Sequence, residues 1–159
     1  MFYRIALVSV LIFGCVHLRL TPTSTCQPLS GFDKLVIYQF DGGAAFVEEE
    51  QYGRIPQFIA ADTPEKLRDQ IEARHLFKTV VLASDCSGHA IKVDGKIYSL
   101  IHHHFDFHVG IRGQITNCET GESLFKFDSD DESDSESIKL PGQIARKLAD
   151  GVQARMTCP

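Results

Sequence analysis

The sequence carries no surplus of basic charge, no apolar stretch long enough to cross a bilayer, and no pair of cysteines at CxxC spacing. Each absence removes a class of function. Against 21 Asp and Glu stand 16 Lys and Arg, and the net charge of −5 leaves none of the clustered cations that displace counterions from nucleic acid. The longest apolar run, from Ile5 to Val16, is about a dozen residues, the length of a signal-peptide core and short of a membrane span. Without CxxC a zinc ribbon has no ligand frame. HExxH and GxSxG are also missing, and Gly42-Gly43 lacks the lysine and spacing of a phosphate-binding loop. The chain is therefore expected to be no enzyme, to carry no cofactor and to bind no nucleic acid.

What is present points outward from the cytosol. Arg4 followed by the apolar run reads as an export signal, and Ile12-Phe13-Gly14-Cys15 resembles the lipoprotein processing box of bacteria, with Phe13 departing from it. Two fates fit: lipidation at Cys15, or an ordinary secretory signal cut before Cys26. Residues 1–25 are thus assigned to the signal and the start of a tether, 26–33 to the rest of the tether, and 34–159 to one domain. Beyond Cys15 the cysteines are Cys26, Cys86, Cys118 and Cys158, which allow three pairings. We favour Cys26–Cys158, joining the termini, and Cys86–Cys118, joining a strand end to a later turn.

Along the domain, residues 34–40 form an apolar run of strand length, apolar on both alternating sets, as in an interior strand. Residues 44–61 read as a surface loop with an acidic patch at Glu48–Glu50. Asp62-Thr63-Pro64-Glu65 has the order of a capping box with an early proline, so a helix is expected to begin there and bury Leu67 and Ile71. Residues 78–83 form a second buried strand. Strand, helix and strand make a β-α-β unit with parallel strands. A final helix over about 141–156 carries Ile144, Leu148, Val152 and Met156 at a spacing of four.

Between the second strand and that helix, residues 89–127 show period-two alternation: Ile97, Ile101, Phe105, Phe107, Val109 and Ile111 against Lys96, His102, His104, Asp106 and His108. One strand over 96–117 would be about 70 Å long, so the run must turn. We place the turn within His102–Asp106, giving strands at about 89–102, 106–117 and 122–128. Residues 128–137 hold six acidic residues and no apolar one, and read as a solvated acidic loop. Asp128, Asp130 and Glu132 begin like a calcium loop, but Ser133 replaces its glycine and Lys139 its final glutamate. The sum is an α/β fold, an α+β sandwich with a mixed sheet in the order β-α-β-β-β-α and both helices on one face.

Two histidines at i, i+2 on a strand can share an ion, and imidazole with carboxylate suits zinc or copper. The densest ligand set is His102, His104, Asp106 and His108, and a bend is needed to gather three of them.

The order KLVIYQFD, TPEKLRDQI, FKTVVLAS, IKVDGKIYSL, ITNCETGESLFKF and PGQIARKLADGVQARM resembles the periplasmic α/β domain of curli-secretion-type lipoproteins of Gram-negative bacteria. Asp94-Gly95 and Thr120-Gly121 are its most specific points. The resemblance implies a non-enzymatic envelope protein of the periplasm or outer membrane that acts through protein contacts. The expected function is accordingly an exported, lipid-anchored or periplasmic binding or assembly module with an envelope protein as partner. The alternative is a periplasmic zinc- or copper-binding protein using residues 102–108.

Overall fold

A computed structural model describes residues 18–82 and 85–158, with only the backbone of Asp131. The elements in chain order are β1 (Thr21–Pro22), β2 (Lys34–Ile37), β3 (Phe46–Val47), α1 (Ile55–Ala73), β4 (Thr79–Leu82), β5 (Ala90–His103), β6 (Asp106–Asn117), β7 (Ser123–Asp134) and α2 (Leu140–Ala154). The strands form one mixed sheet in the order β1-β7-β6-β5-β2-β4, with β3 paired to β5 further along. Both helices pack on one face, where α2 buries Leu140, Ile144, Ala145, Leu148, Ala149 and Val152 in the core that α1 shares. The architecture is the α+β sandwich read from the sequence.

The β-α-β unit is present: β2 pairs in parallel with β4 on one side and with β5 on the other. Leu35, Val36 and Ile37 are consequently all buried. The helix between them starts earlier than the sequence suggests, at Ile55 rather than Asp62. Ile59, Thr63, Leu67 and Ile71 recur every four residues and all are buried, so the apolar stripe carries the helix straight through the apparent cap. Pro64 has no N–H for the carbonyl of Ala60, and that carbonyl instead accepts a hydrogen bond from Gln39 Nε2 at 3.0 Å. A neighbouring bond, Thr63 Oγ1 to the Ile59 carbonyl at 2.6 Å, further secures this turn.

Two other expectations are corrected. Residues 26–33 are not a tether: Leu29 and Phe32 are buried, the Leu29 amide donates to the Arg155 carbonyl at 2.9 Å, and Cys26 is bonded to Cys158. The folded part begins before them, since Leu18 and Leu20 are also in the core and β1 pairs with β7. Nor is 128–137 a loop. The strand β7 continues through Asp134, placing Ser129 and Glu132 opposite Ile111 and Val109 on the inner face. Charged residues conceal this strand, although Ser129, Glu132 and also Asp134, which lies opposite Phe107 and accepts from Gln143 of α2, are on its inner side. The buried Glu132 carboxylate meets Lys147 Nζ of α2 at 2.5 Å and accepts from Ser129 Oγ at 3.2 Å, the pairing that a buried charge requires.

The second disulfide joins Cys86 to Cys118, with Cα atoms 5.1 Å apart, and ties the root of β5 to the end of β6. Two disulfides fit an oxidising compartment outside the cytosol. Among the described residues no helix is long and apolar enough to cross a membrane.

Candidate binding surface at the hairpin end

β5 and β6 form a long antiparallel hairpin in register from Ile91↔Asn117 to His103↔Asp106, turning through His104 and Phe105. His104 takes a left-handed φ of 57°, a conformation uncommon for residues with a side chain. The turn therefore lies within the segment the sequence singled out.

The two faces of the hairpin do not follow simple alternation, because the register shifts between Ile97 and Ser99. Opposite the shift lies Gly110, where a Cβ would come within 2.6 Å of the Tyr98 ring, so the ring takes the space of the missing side chain. Past this bulge the inward set on β5 changes from odd to even: Leu100 faces Val109 inside, Ile101 faces His108 outside, and His102 faces Phe107 inside.

That flip decides the fate of the proposed metal ligands. His102 lies against the rings of Phe107 and Tyr52, at 4.8 and 4.9 Å, with Nδ1 3.3 Å from Glu49 Oε1. His108 is on the opposite face. At the turn, His104 stacks on His103 with their Nδ1 atoms in contact, and Asp106 pairs across the turn with His103. The fold thus puts His102 and His108 on opposite faces of the hairpin, with His104 and Asp106 at its turn. Among the described residues no group of three His, Cys, Asp or Glu side chains is placed to hold a metal ion.

The same flip exposes apolar side chains that alternation assigns to the core. Phe105 is 85% exposed at the tip and Ile101 39% exposed behind it. β3 pairs Phe46 with Ser99, on the same outer face as Ile101, and Phe46 is 62% exposed. Phe46, Ile101 and Phe105 therefore form an apolar outer surface at the hairpin end, and the exposed Glu48, two residues after Phe46, continues the pairing with β5 as its amide donates to the Leu100 carbonyl at 3.2 Å. Sequence reasoning missed it because the bulge has no signal beyond Gly110 and an aromatic residue at 98.

Away from the tip, the Tyr98 hydroxyl donates to Asp128 Oδ1 at 3.3 Å and the Arg112 guanidinium lies 5.0 Å over its ring. Burial, then the Asp128 and Asp130 charges, push the Tyr98 phenol above its ordinary range, so it remains a donor at neutral pH.

No family model and no curated protein matches the chain. Among solved structures, it is similar to a PelC dodecamer from Paraburkholderia phytofirmans, at 13% identity and a TM-score of 0.53, covering 87% of this chain and 98% of that one. A second PelC dodecamer structure from the same organism matches at 11% identity, covering 89% and 97%, with a TM-score of 0.49. A neuraminyllactose-binding hemagglutinin homolog from Helicobacter pylori matches at 10% identity over 83% and 89%, with a TM-score of 0.39. The first of these shows a shared fold. This finding replaces the resemblance to curli-secretion-type lipoproteins: the fold likeness found is to PelC. Motifs this short do not discriminate between families: Thr120-Gly121 sits in the turn between β6 and β7, a feature common to many sheets, and Asp94-Gly95 lies within β5, which is why they point to the wrong family.

Proposed function

We propose that the chain is an exported protein of the bacterial cell envelope that acts without catalysis, as a binding or assembly module, and that Phe46, Ile101 and Phe105 form its partner-docking surface. The observation that carries this reading is the exposure of three large apolar residues at one end of the sheet, Ile101 and Phe105 on the hairpin and Phe46 on the adjoining β3, an arrangement characteristic of interaction sites. The exposed Glu48 beside it favours a partner whose apolar patch carries a basic group at its edge. Support for the compartment comes from the two disulfides and the N-terminal signal. Support for assembly comes from the fold shared with a protein solved as a dodecamer. The lipid at Cys15, which lies outside the described residues, is the finer part of this proposal, with the periplasm or outer membrane of a Gram-negative bacterium as the location. A zinc or copper site at residues 102–108 is the weaker reading, because the ligands lie apart.

A photo-crosslinking amino acid placed at Phe105, Phe46 or, as a control, the exposed Glu65 tests the surface in intact cells. A discrete adduct from the first two positions and none from Glu65 is expected, and equal labelling at all three would end the proposal. Mass spectrometry of the mature protein reads the anchor: an acylated Cys15 as N-terminus is expected, and an N-terminus beyond it excludes lipidation.

A further inference from the structure

The outer face of β5, β6 and β7 is bare, since both helices occupy the inner one. Strand register arranges its side chains in two rows. Asp94, Gln114 and Lys126 stand side by side in the first, and Lys96, Arg112 and Asp128 in the second. Adjacent strands set neighbours in a row about 4.8 Å apart and the rows about 6.6 Å apart. Between the rows run Gly95, Gly113 and Phe127, which direct nothing outward: a Cβ on either glycine would meet inner-face rings, and Phe127 is buried. Together with Asp41 these residues enclose a shallow hollow of about 530 Å³.

Within each strand the two rows carry opposite or complementary groups: Asp94 with Lys96, Gln114 with Arg112, and Lys126 with Asp128. From this pattern we infer that the bare face is a self-complementary surface that takes a second copy of the chain, across a two-fold axis lying over the Gly95–Gly113 row. Such an axis lays the first row of one copy on the second row of the other. Asp94 then faces Lys96 of the second copy and Lys126 faces Asp128, each pair occurring twice. Gln114 faces Arg112 twice, so no like charges meet.

Satisfaction within one chain does not account for the pattern. Asp94 lies 3.6 Å from Lys92, and Asp128 accepts from Tyr98, whereas Lys96 and Lys126 have no ion-pair partner among the described residues. Two unneutralised lysines remain on a face that also carries Arg112 and Tyr98, residue types enriched at interfaces. The surface is distinct from the hairpin end, and the inference holds or fails independently of the envelope reading.

Sedimentation of the purified full chain tests it, with circular dichroism and disulfide mapping to confirm folding. A monomer–dimer equilibrium is expected at 50 mM NaCl, weakened about tenfold at 500 mM because exposed pairs are screened. Lys96→Glu sets a carboxylate against Asp94 of the second copy and is expected to weaken the dimer by about tenfold or more; adding Asp94→Lys restores opposition and the dimer. Lys126→Glu with Asp128→Lys repeats the logic on the other strand. A chain monomeric at all concentrations up to about 1 mM overturns the inference, as does an assembly that Lys96→Glu leaves intact or double reversal does not restore.

Discussion

The root and the tip of the β5–β6 hairpin belong to the same two strands yet are built to opposite specifications. At the root, Ile91, Val93 and Ile115 are wholly buried, β2 covers the flank of β5, and Cys86–Cys118 fastens the end. At the tip, β3 supplies two paired residues, His104 is held in a left-handed conformation, and Phe105 projects into solvent. One end holds the fold and the other presents a surface. Burial, pairing with β2 and the disulfide hold the root, whereas the apolar tip lies beyond the core.

Breaking the root has the largest expected effect. Replacing Cys86 and Cys118 together by alanine is expected to lower unfolding stability by about 3–4 kcal/mol, from the freedom returned to a loop of 32 residues, read as a shifted denaturant midpoint. Ile115→Ala removes a fully buried side chain facing Val93 and Phe125, and about 3 kcal/mol is expected by the same measurement. At the tip, His104→Gly relieves the left-handed strain and is expected to stabilise by about 0.5 kcal/mol. Phe105→Ser is expected to stay within about 0.5 kcal/mol of the parent while abolishing crosslinking from a photo-crosslinking residue at position 46. A loss of about 2 kcal/mol there, as a core residue would give, contradicts the division drawn between the two ends.

The smallest effect is a pH dependence at the root. A hydrogen bond and ion pair from Lys78 hold the Asp33 carboxyl below its ordinary 3.8, so its contribution is present above that value and lost as pH falls through the lowered one. Asp33→Asn is therefore expected to be less stable than the parent at pH 7, with the difference shrinking as pH falls through the lowered pKa, and thermal unfolding as the readout.

Much of this division was legible in the residues. The β-branched and aromatic alternation of 89–117 locates both strands and the turn, because a half-buried strand writes its two faces into successive positions. Where the reading failed, a distant contact was responsible. The bulge at Tyr98 depends on Gly110 across the ladder, and without it Ile101 and Phe105 count as core. The strand at 128–134 depends on Lys147 from α2, which lets Glu132 go inside. Pro64 stays within α1 because Gln39 satisfies the Ala60 carbonyl. Local composition contains none of these partners, so it misreads a helix start, a strand and the exposed apolar surface for the same reason.

The burial of Leu18 and Leu20 in the core also sets how far a group carried on Cys15 can stand from the domain. Cys15 precedes Leu18 by three residues, and three peptide units reach about 11 Å at full extension. A lipid on Cys15 would then be a short rivet rather than a leash, giving the domain neither the reach to search for a distant partner nor the freedom to tumble above the membrane.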